Sequence, residues 1–143
     1  MRVRTIGVTL IVFGLVVATS AAHGFAKSAG SPTVPQSLVG CWSRHVPALP
    51  VGTSAGVWLI RIQSSGAFAA YTPGSTKCDT ASDFTSHLSV RSGRLTIGHV
   101  PICATNGVYS VKPARNSFVL RTVSDKACSA RIGLLAGTWK RKG

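Results

Sequence analysis

The stretch WLIRIQSSGAFAAY, residues 58–71, decides the fold class. Trp58, Ile60 and Ile62 fall on one face of an extended chain, and Arg61 and Gln63 fall on the other. The segment 64–66, Ser-Ser-Gly, then turns the chain into a second apolar run. Because alternation around a Gly-containing turn is typical of half-buried antiparallel strands, the stretch predicts a β-hairpin.

A second hairpin is predicted by the same pattern further along the chain. Residues 84–90 alternate apolar with polar side chains, and the turn 91–94, Arg-Ser-Gly-Arg, leads into the strand-like segment 95–97. Gly at the tight position is what such a turn requires.

A third hairpin is predicted from segments 108–111 and 118–121, which flank the turn 112–116. Pro113 favours a turn there, because proline cannot donate to the ladder of a central strand. A short helical turn around residues 130–135 precedes a last strand at 137–140. The chain therefore predicts about eight strands and no long helix.

Short strands in hairpin succession form either a sandwich or a closed up-and-down barrel, and closure removes exposed edges. An internal echo favours closure: Gly40-Cys41-Trp42-Ser43-Arg44 resembles Gly137-Thr138-Trp139-Lys140-Arg141. We expect Trp42 and Trp139 to plug the barrel and Arg141 to stack on the opposite indole. The alternative is that both tryptophans simply belong to the core.

These features, a Gly-x-Trp in the first strand, serial hairpins and a closing strand that carries Trp139, resemble the lipocalin-type barrels, especially small secreted bacterial lipocalin-like proteins. The resemblance covers about residues 38–142 and implies an antiparallel barrel of about eight strands. The chain departs from full lipocalins because no long packing helix follows the last strand.

The N-terminus has the composition of an export signal. Arg2 and Arg4 precede an apolar run and then small residues, which predicts a signal peptide over 1–22, with cleavage as late as residue 26 as an alternative. Residues 23–37 predict a flexible linker, and 38–143 the barrel domain. Two further alternatives are an uncleaved anchor and acylation of Cys41.

All four cysteines follow the predicted signal, so an exported protein is expected to oxidise them. Three pairings are open. Cys103 and Cys128 bracket the third hairpin, which favours a bond between them and leaves Cys41 to pair with Cys78. A metal site competes with this interpretation, but no Cys-x-x-Cys pair or nearby His supports it, so no metal is expected.

Catalytic chemistry is poorly supplied. The chain has no Glu, and its acids are Asp79, Asp83 and Asp125. The histidines of the predicted barrel domain occur singly, at positions 45, 87 and 99, and none belongs to a nucleophile elbow or zinc-binding motif. We therefore expect a non-enzymatic protein without a cofactor.

Charge is the other strong signal, with a formal net charge of +13. Without Arg2 and Arg4, 14 basic residues face 3 acidic ones, which leaves +11. Such a chain attracts polyanions, so an anionic surface or an acidic protein is one expected partner. No aromatic residues interleave with the arginines, so specific nucleic-acid recognition is not expected. A charge that merely keeps the protein soluble is the alternative.

The sequence thus supports two functions for a secreted or envelope-associated, monomeric protein. The first is binding of a small apolar or amphipathic ligand in the barrel, since barrels of this size just hold one molecule. The second is a basic interaction or inhibitor protein. The inward aromatic residues expected to line a pocket, unless they only fill the core, are Trp58, Phe68, Tyr71, Tyr109 and Phe118.

Overall fold

The computed structural model describes residues 34–49, 53–79, 81–101, 103–125 and 128–143. Within them, eight antiparallel strands pair in chain order, and the last pairs with the first to close a barrel. The strands are β1 Gly40–Val46, β2 Gly56–Ile62, β3 Ala67–Tyr71, β4 Phe84–Arg91, β5 Arg94–Ile97, β6 Gly107–Ala114, β7 Ser117–Ser124 and β8 Gly137–Arg141. The prediction of a closed up-and-down barrel is confirmed. The predicted signal peptide lies outside the described residues.

The two ends of the barrel differ in construction. At one end, here called the turn end, a 3-10 helix at Gln36–Leu38 precedes β1, and tight turns join β2 to β3, β4 to β5 and β6 to β7. At the other, the helix end, longer connections join the strands, and α1 at Ser129–Leu135 links β7 to β8. This helix confirms the helical turn expected at 130–135.

The interior of the barrel is packed with the chain's own side chains. One continuous cluster of buried apolar residues runs from Trp42 at the turn end to Trp139 at the helix end. Trp42, Tyr109, Phe118 and Trp139 have no solvent-exposed surface. The inward faces of the strands therefore build a core of the kind found in small closed barrels.

A Gly-x-Trp tripeptide begins three strands, one more than the internal echo in the sequence indicated. Gly40, Gly56 and Gly137 have φ of +141°, +136° and +136°, which side chains rarely adopt. Two residues later, each indole N–H donates to a carbonyl four residues before it: Trp42 to Leu38 at 2.9 Å, Trp58 to Ser54 at 2.8 Å and Trp139 to Leu135 at 2.9 Å. The tripeptide thus seats a large ring inside while satisfying its polar atom.

Two details of the prediction change. Pro113 lies within β6 and not in a turn, and only Arg115 and Asn116 separate β6 from β7. The strand tolerates proline because β5 pairs with β6 no further than Ser110, so the N–H that proline lacks has no partner on that side. The packed unit also begins before residue 38, since Val34 is buried in the core.

Candidate functional site

The helix end is held shut by α1 and a disulfide. Cys103, in the connection between β5 and β6, is bonded to Cys128, which caps α1. The Cys128 Sγ atom also accepts a hydrogen bond from the backbone N–H of Arg131 at 3.4 Å. The start of the helix is therefore tied to the barrel rim covalently and by its cap.

Below α1 lies a buried group of three polar side chains. The Arg131 guanidinium donates to both Asp125 carboxylate oxygens, from Nε at 2.8 Å and from Nη2 at 2.6 Å. It also donates to the carbonyls of Gly98 at 3.2 Å and Thr105 at 2.7 Å. The Tyr109 hydroxyl donates to Asp125 as well. Because every member is paired, the group fastens α1 to β6 and to the β5–β6 connection.

The electrostatics of this group follow from its contacts. Burial by itself raises the pKa of Asp125, but hydrogen bonds from Arg131 and Tyr109, with the positive charge of Arg131, hold that pKa below its usual value. Burial, then the bond to Asp125, raises the pKa of Tyr109. The bond to Asp125 also raises the pKa of Arg131. The carboxylate and guanidinium are thus both charged and neutralise each other.

At the turn end an arginine side chain has an aromatic ring and a backbone carbonyl as partners instead of a carboxylate. The Arg141 guanidinium lies 4.2 Å from the centre of the Trp42 ring, and its Nη1 donates to the Val39 carbonyl at 3.1 Å. Phe118 meets Trp42 edge to face, with ring centres 4.8 Å apart. Trp42 therefore belongs to the core at this end, and Arg141 stacks on its indole, the contact that the sequence led us to expect.

A matching arginine sits across the β1–β8 pair. Arg44 Nη1 donates to the carbonyls of Gly133 at 2.9 Å and Leu134 at 2.5 Å, which are in the last turn of α1. A cation at the C-terminal carbonyls of a helix is favourably placed. Burial lowers the pKa of Arg44.

The aromatic residues predicted to line a ligand pocket do not converge on one. Phe68, Tyr109 and Phe118 pack inside the core, and Trp58 belongs to the same cluster. Tyr71 was wrongly expected to point inward. It packs with Leu59 and Cys78 in a separate cluster on the outer wall.

The outer position of Tyr71 follows from strand geometry and from a disulfide. Phe68 and Tyr71 are three residues apart in one strand, so they face opposite sides of the sheet. The β3–β4 connection folds back over the outside of β1 and β2, where Cys78 is bonded to Cys41. The Tyr71 hydroxyl donates to the Cys78 carbonyl at 2.8 Å. Both disulfides thus have the pairing expected from the sequence.

One cavity lies beside the core at the helix end. It has a volume of about 260 Å³ and is lined mainly by apolar side chains, with Trp58, Phe84 and Leu134 the largest. Asp83, Thr53 and Arg131 add polar atoms at its margin. Of the five predicted ligand residues, Trp58 alone lines it.

The three histidines among the described residues occur on separate segments. His45 is on β1, His87 on β4 and His99 after β5, and each is exposed. Among the described residues, no three His, Cys, Asp or Glu side chains are grouped so as to hold a metal ion. No helix in that part of the chain is long and apolar enough to cross a membrane.

Charged residues are segregated by sign. None of the eight strands, and none of the tight turns at the turn end, contains Asp or Glu. Asp79 and Asp83 lie in the β3–β4 connection, and Asp125 is buried against Arg131 after β7. Ten basic side chains are exposed in the described residues: Arg61, Lys77, Arg91, Arg94, Lys112, Arg115, Arg121, Lys140, Arg141 and Lys142. The exposed Lys and Arg side chains on the strands therefore have no Asp or Glu among them.

The chain matches no known protein-family model, no curated protein and no solved structure. Its barrel is thus established by its own strand pairing.

Proposed function

We propose that this protein is an exported, non-enzymatic binding protein whose basic barrel wall engages an acidic macromolecule. One observation carries the proposal: no strand contains a carboxylate, while ten exposed cations cover the described surface. Unneutralised surface cations repel one another and destabilise the compact state. A partner that supplies the missing negative charge would relieve that repulsion.

The packed interior supports a surface role over a carrier role. A lipocalin-like barrel that carries a ligand needs an open interior, whereas here Trp42, Tyr109, Phe118 and Trp139 fill it. The barrel then serves as a rigid support for its outer face. The resemblance to lipocalins is therefore proposed to concern the shape of the barrel and not ligand transport.

Export is proposed from the disulfides. Two disulfides within about 100 residues are characteristic of proteins that fold in an oxidising compartment. The segment 1–22 supplies the matching signal pattern.

The proposal is tested by binding to acidic polymers extracted from the envelope of the producing cell. We expect binding at physiological salt that weakens as salt rises, and that is tighter than binding of an unrelated basic protein with the same net charge. Equal binding by the unrelated protein, or no binding at low salt, would contradict the proposal.

A second candidate function rests on the cavity of about 260 Å³ at the helix end. Its apolar lining suits a small apolar or amphipathic ligand, although cavities for drug-sized ligands are usually about 300 Å³ or more. Filling it with the substitution Ala130→Leu tests this function. Saturable quenching of tryptophan fluorescence by a small apolar ligand, abolished in that variant, is the expected result, and quenching that persists in the variant places the ligand elsewhere.

A further inference from the structure

Strand register brings three arginines that are distant in sequence into one line on the outer wall. Arg91 on β4 is directly opposite Arg94 on β5, and Arg94 is directly opposite Ser110 on β6. Ser110 is in turn opposite Arg121 on β7. Directly opposed residues of antiparallel strands point to the same face, and all three arginines are exposed. We call Arg91, Arg94 and Arg121 the arginine row.

The row crosses the strands and does not run along them. Neighbouring strands are about 4.8 Å apart, so the row extends about 14 Å from β4 to β7. Arg91 and Arg94 flank a two-residue turn, Ser92-Gly93, with φ of 48° and 71°. Such a turn fixes the register of its hairpin, and hence the opposition of the two arginines.

A groove lies at the β7 end of the row. It has a volume of about 420 Å³ and runs over the outer face of the β6–β7 hairpin, where Ser110, Lys112, Val119 and Arg121 line it. Lys112 is opposite Val119, one outward position along the strands from the Ser110–Arg121 pair. The groove is therefore continuous with the row and carries a further cation.

This arrangement has a cost within the chain itself. Like charges directly opposite each other on a sheet are destabilising, and strands β4 to β7 contain no acid to separate them. Of the two exposed acids in the described residues, Asp79 adjoins Cys78, which is bonded to β1, and Asp83 precedes β4 at the opposite end of that strand from Arg91. In a closed barrel of eight strands, β1 and β5 stand on opposite sides. Among the described residues, the row consequently has no carboxylate beside it to neutralise its charge.

We propose that the arginine row and its groove bind a linear phosphate polymer that lies across strands β4 to β7. This rests on the proposed function and specifies its surface and partner. A line of cations leading into a groove matches a chain of regularly spaced anions. Arginine favours phosphate because its planar guanidinium binds two oxygens at once.

Two alternatives fit the surface less well. The aromatic rings of β4 to β7 lie inside or at the helix end, so the row has no platform on which nucleic-acid bases could stack. A planar membrane surface cannot enter a groove, and the row curves with the barrel wall. Binding is thus expected to depend on phosphates and not on bases or bilayer.

The test measures the affinity of the disulfide-bonded protein for long-chain inorganic polyphosphate over a range of salt concentrations. The row variant is Arg91→Gln, Arg94→Gln and Arg121→Gln. The matched control is Arg61→Gln, Lys77→Gln and Lys142→Gln, which removes the same charge from the β1–β2 side. All six residues are exposed, so both variants are expected to fold, and thermal unfolding verifies it.

We expect the row variant to bind about tenfold more weakly or worse near 0.15 M salt, and its log–log salt slope to fall by about two units, since each phosphate contact on a flexible chain contributes about 0.7. The control variant should show a much smaller loss of affinity and a much smaller fall in the salt slope. The triple Arg→Lys variant, which keeps the charge but loses the planar fork, should fall between wild type and the row variant.

Each other outcome has a distinct meaning. Equal weakening in the row and control variants overturns the row and leaves the proposed function standing. No salt-dependent binding of wild type to any acidic polymer overturns both. Tighter binding to polyglutamate or to anionic vesicles than to polyphosphate, at matched charge, overturns the phosphate polymer as the partner. Tighter binding to a single-stranded oligonucleotide than to polyphosphate overturns base independence.

Discussion

The two ends of the barrel each use an arginine, but they treat its charge differently. At the helix end Arg131 is buried and has a carboxylate, Asp125, bound to two of its nitrogens. At the turn end Arg141 is exposed and has an indole and backbone carbonyls as partners. The chain thus places an acid where a buried cation would otherwise be unsatisfied, and places none beside the cations of the wall. This selective use of carboxylates is the observation on which the proposed interaction with an acidic partner rests.

The largest effect is expected from breaking the helix-end pair. Asp125→Asn keeps the shape of the side chain but leaves the Arg131 guanidinium buried without a counter-charge, so the free energy of unfolding should fall by about 3–5 kcal/mol. Denaturant unfolding measures it. The matched control is Asp83→Asn, an exposed carboxylate near the same end, for which a change within about 0.5 kcal/mol is expected.

Replacing both partners separates the charge from the packing. Asp125→Asn combined with Arg131→Met removes the unpaired cation, and it should recover part of the stability lost in the single variant. If Asp125→Asn alone cost less than about 1 kcal/mol, an ordinary neutral hydrogen bond would account for it, and the ion pair would not hold the helix end.

Acid should weaken the helix end before the turn end. The pKa of Asp125 is lower in the folded protein than in the unfolded chain, so its contribution to stability is complete above the usual Asp value near 4 and is lost as the pH falls through the folded value. We expect the free energy of unfolding to decrease on acidification in that range. In Asp125→Asn this acid-dependent part should be smaller, and an unchanged pH profile would assign the loss to other carboxyl groups.

The hairpins could be predicted because their information is local, and closure because the segments 40–44 and 137–141 resemble each other. The alternation of Trp58, Ile60 and Ile62, and the turn Ser92-Gly93, are set by neighbouring residues. The helix-end group could not be predicted, because Tyr109 and Asp125 are 16 residues apart in the sequence. No periodic pattern of residues indicates that a loop folds beneath a helix. The only signal was that Asp125, one of three acids, stands just before a predicted helical turn.

Two further features were present in the sequence but needed a comparison across strands. The third Gly-x-Trp, at Gly56, repeats the tripeptide of β1 and β8 and was visible as such. The arginine row depends on register, which the two-residue turn determines only once the strands on both sides are placed. The outward position of Tyr71 followed from its spacing to Phe68, because residues an odd number apart in a strand face opposite sides of the sheet even when both are aromatic.

An effect of intermediate size is expected at two glycines, one at each end of the barrel, that are each packed against an arginine side chain. A Cβ on Gly40 would stand 2.7 Å from Arg141 Nη1, and a Cβ on Gly137 would stand 2.6 Å from Arg44 Nε. Gly40→Ala and Gly137→Ala should each lower the free energy of unfolding by about 1–3 kcal/mol, because positive φ and the displaced arginine act together.

Gly93→Ala is the control for that pair. Gly93 also has positive φ, but nothing lies within 4 Å of where its Cβ would stand. It should therefore lose only the cost of the backbone conformation, about 1–2 kcal/mol. If Gly40→Ala and Gly137→Ala lower the free energy of unfolding no more than Gly93→Ala does, Arg141 and Arg44 move aside freely. Their packing against the two glycines would then not stabilise the ends of the barrel.

The smallest effect is expected on the wall, and its sign is opposite. Arg94→Glu places a carboxylate directly opposite Arg91, so it should raise the free energy of unfolding above that of Arg94→Gln by about 0.2–1 kcal/mol. The gain should shrink at high salt, because both side chains are exposed and screened. Thermal unfolding of the two variants at low and high salt measures it. If Arg94→Glu is more stable but binds polyphosphate more weakly, the wild-type chain forgoes an available ion pair to keep its cations free. If Arg94→Glu is no more stable than Arg94→Gln, the repulsion between the opposed arginines does not destabilise the barrel. The lack of carboxylates on the strands would then no longer support the proposed function.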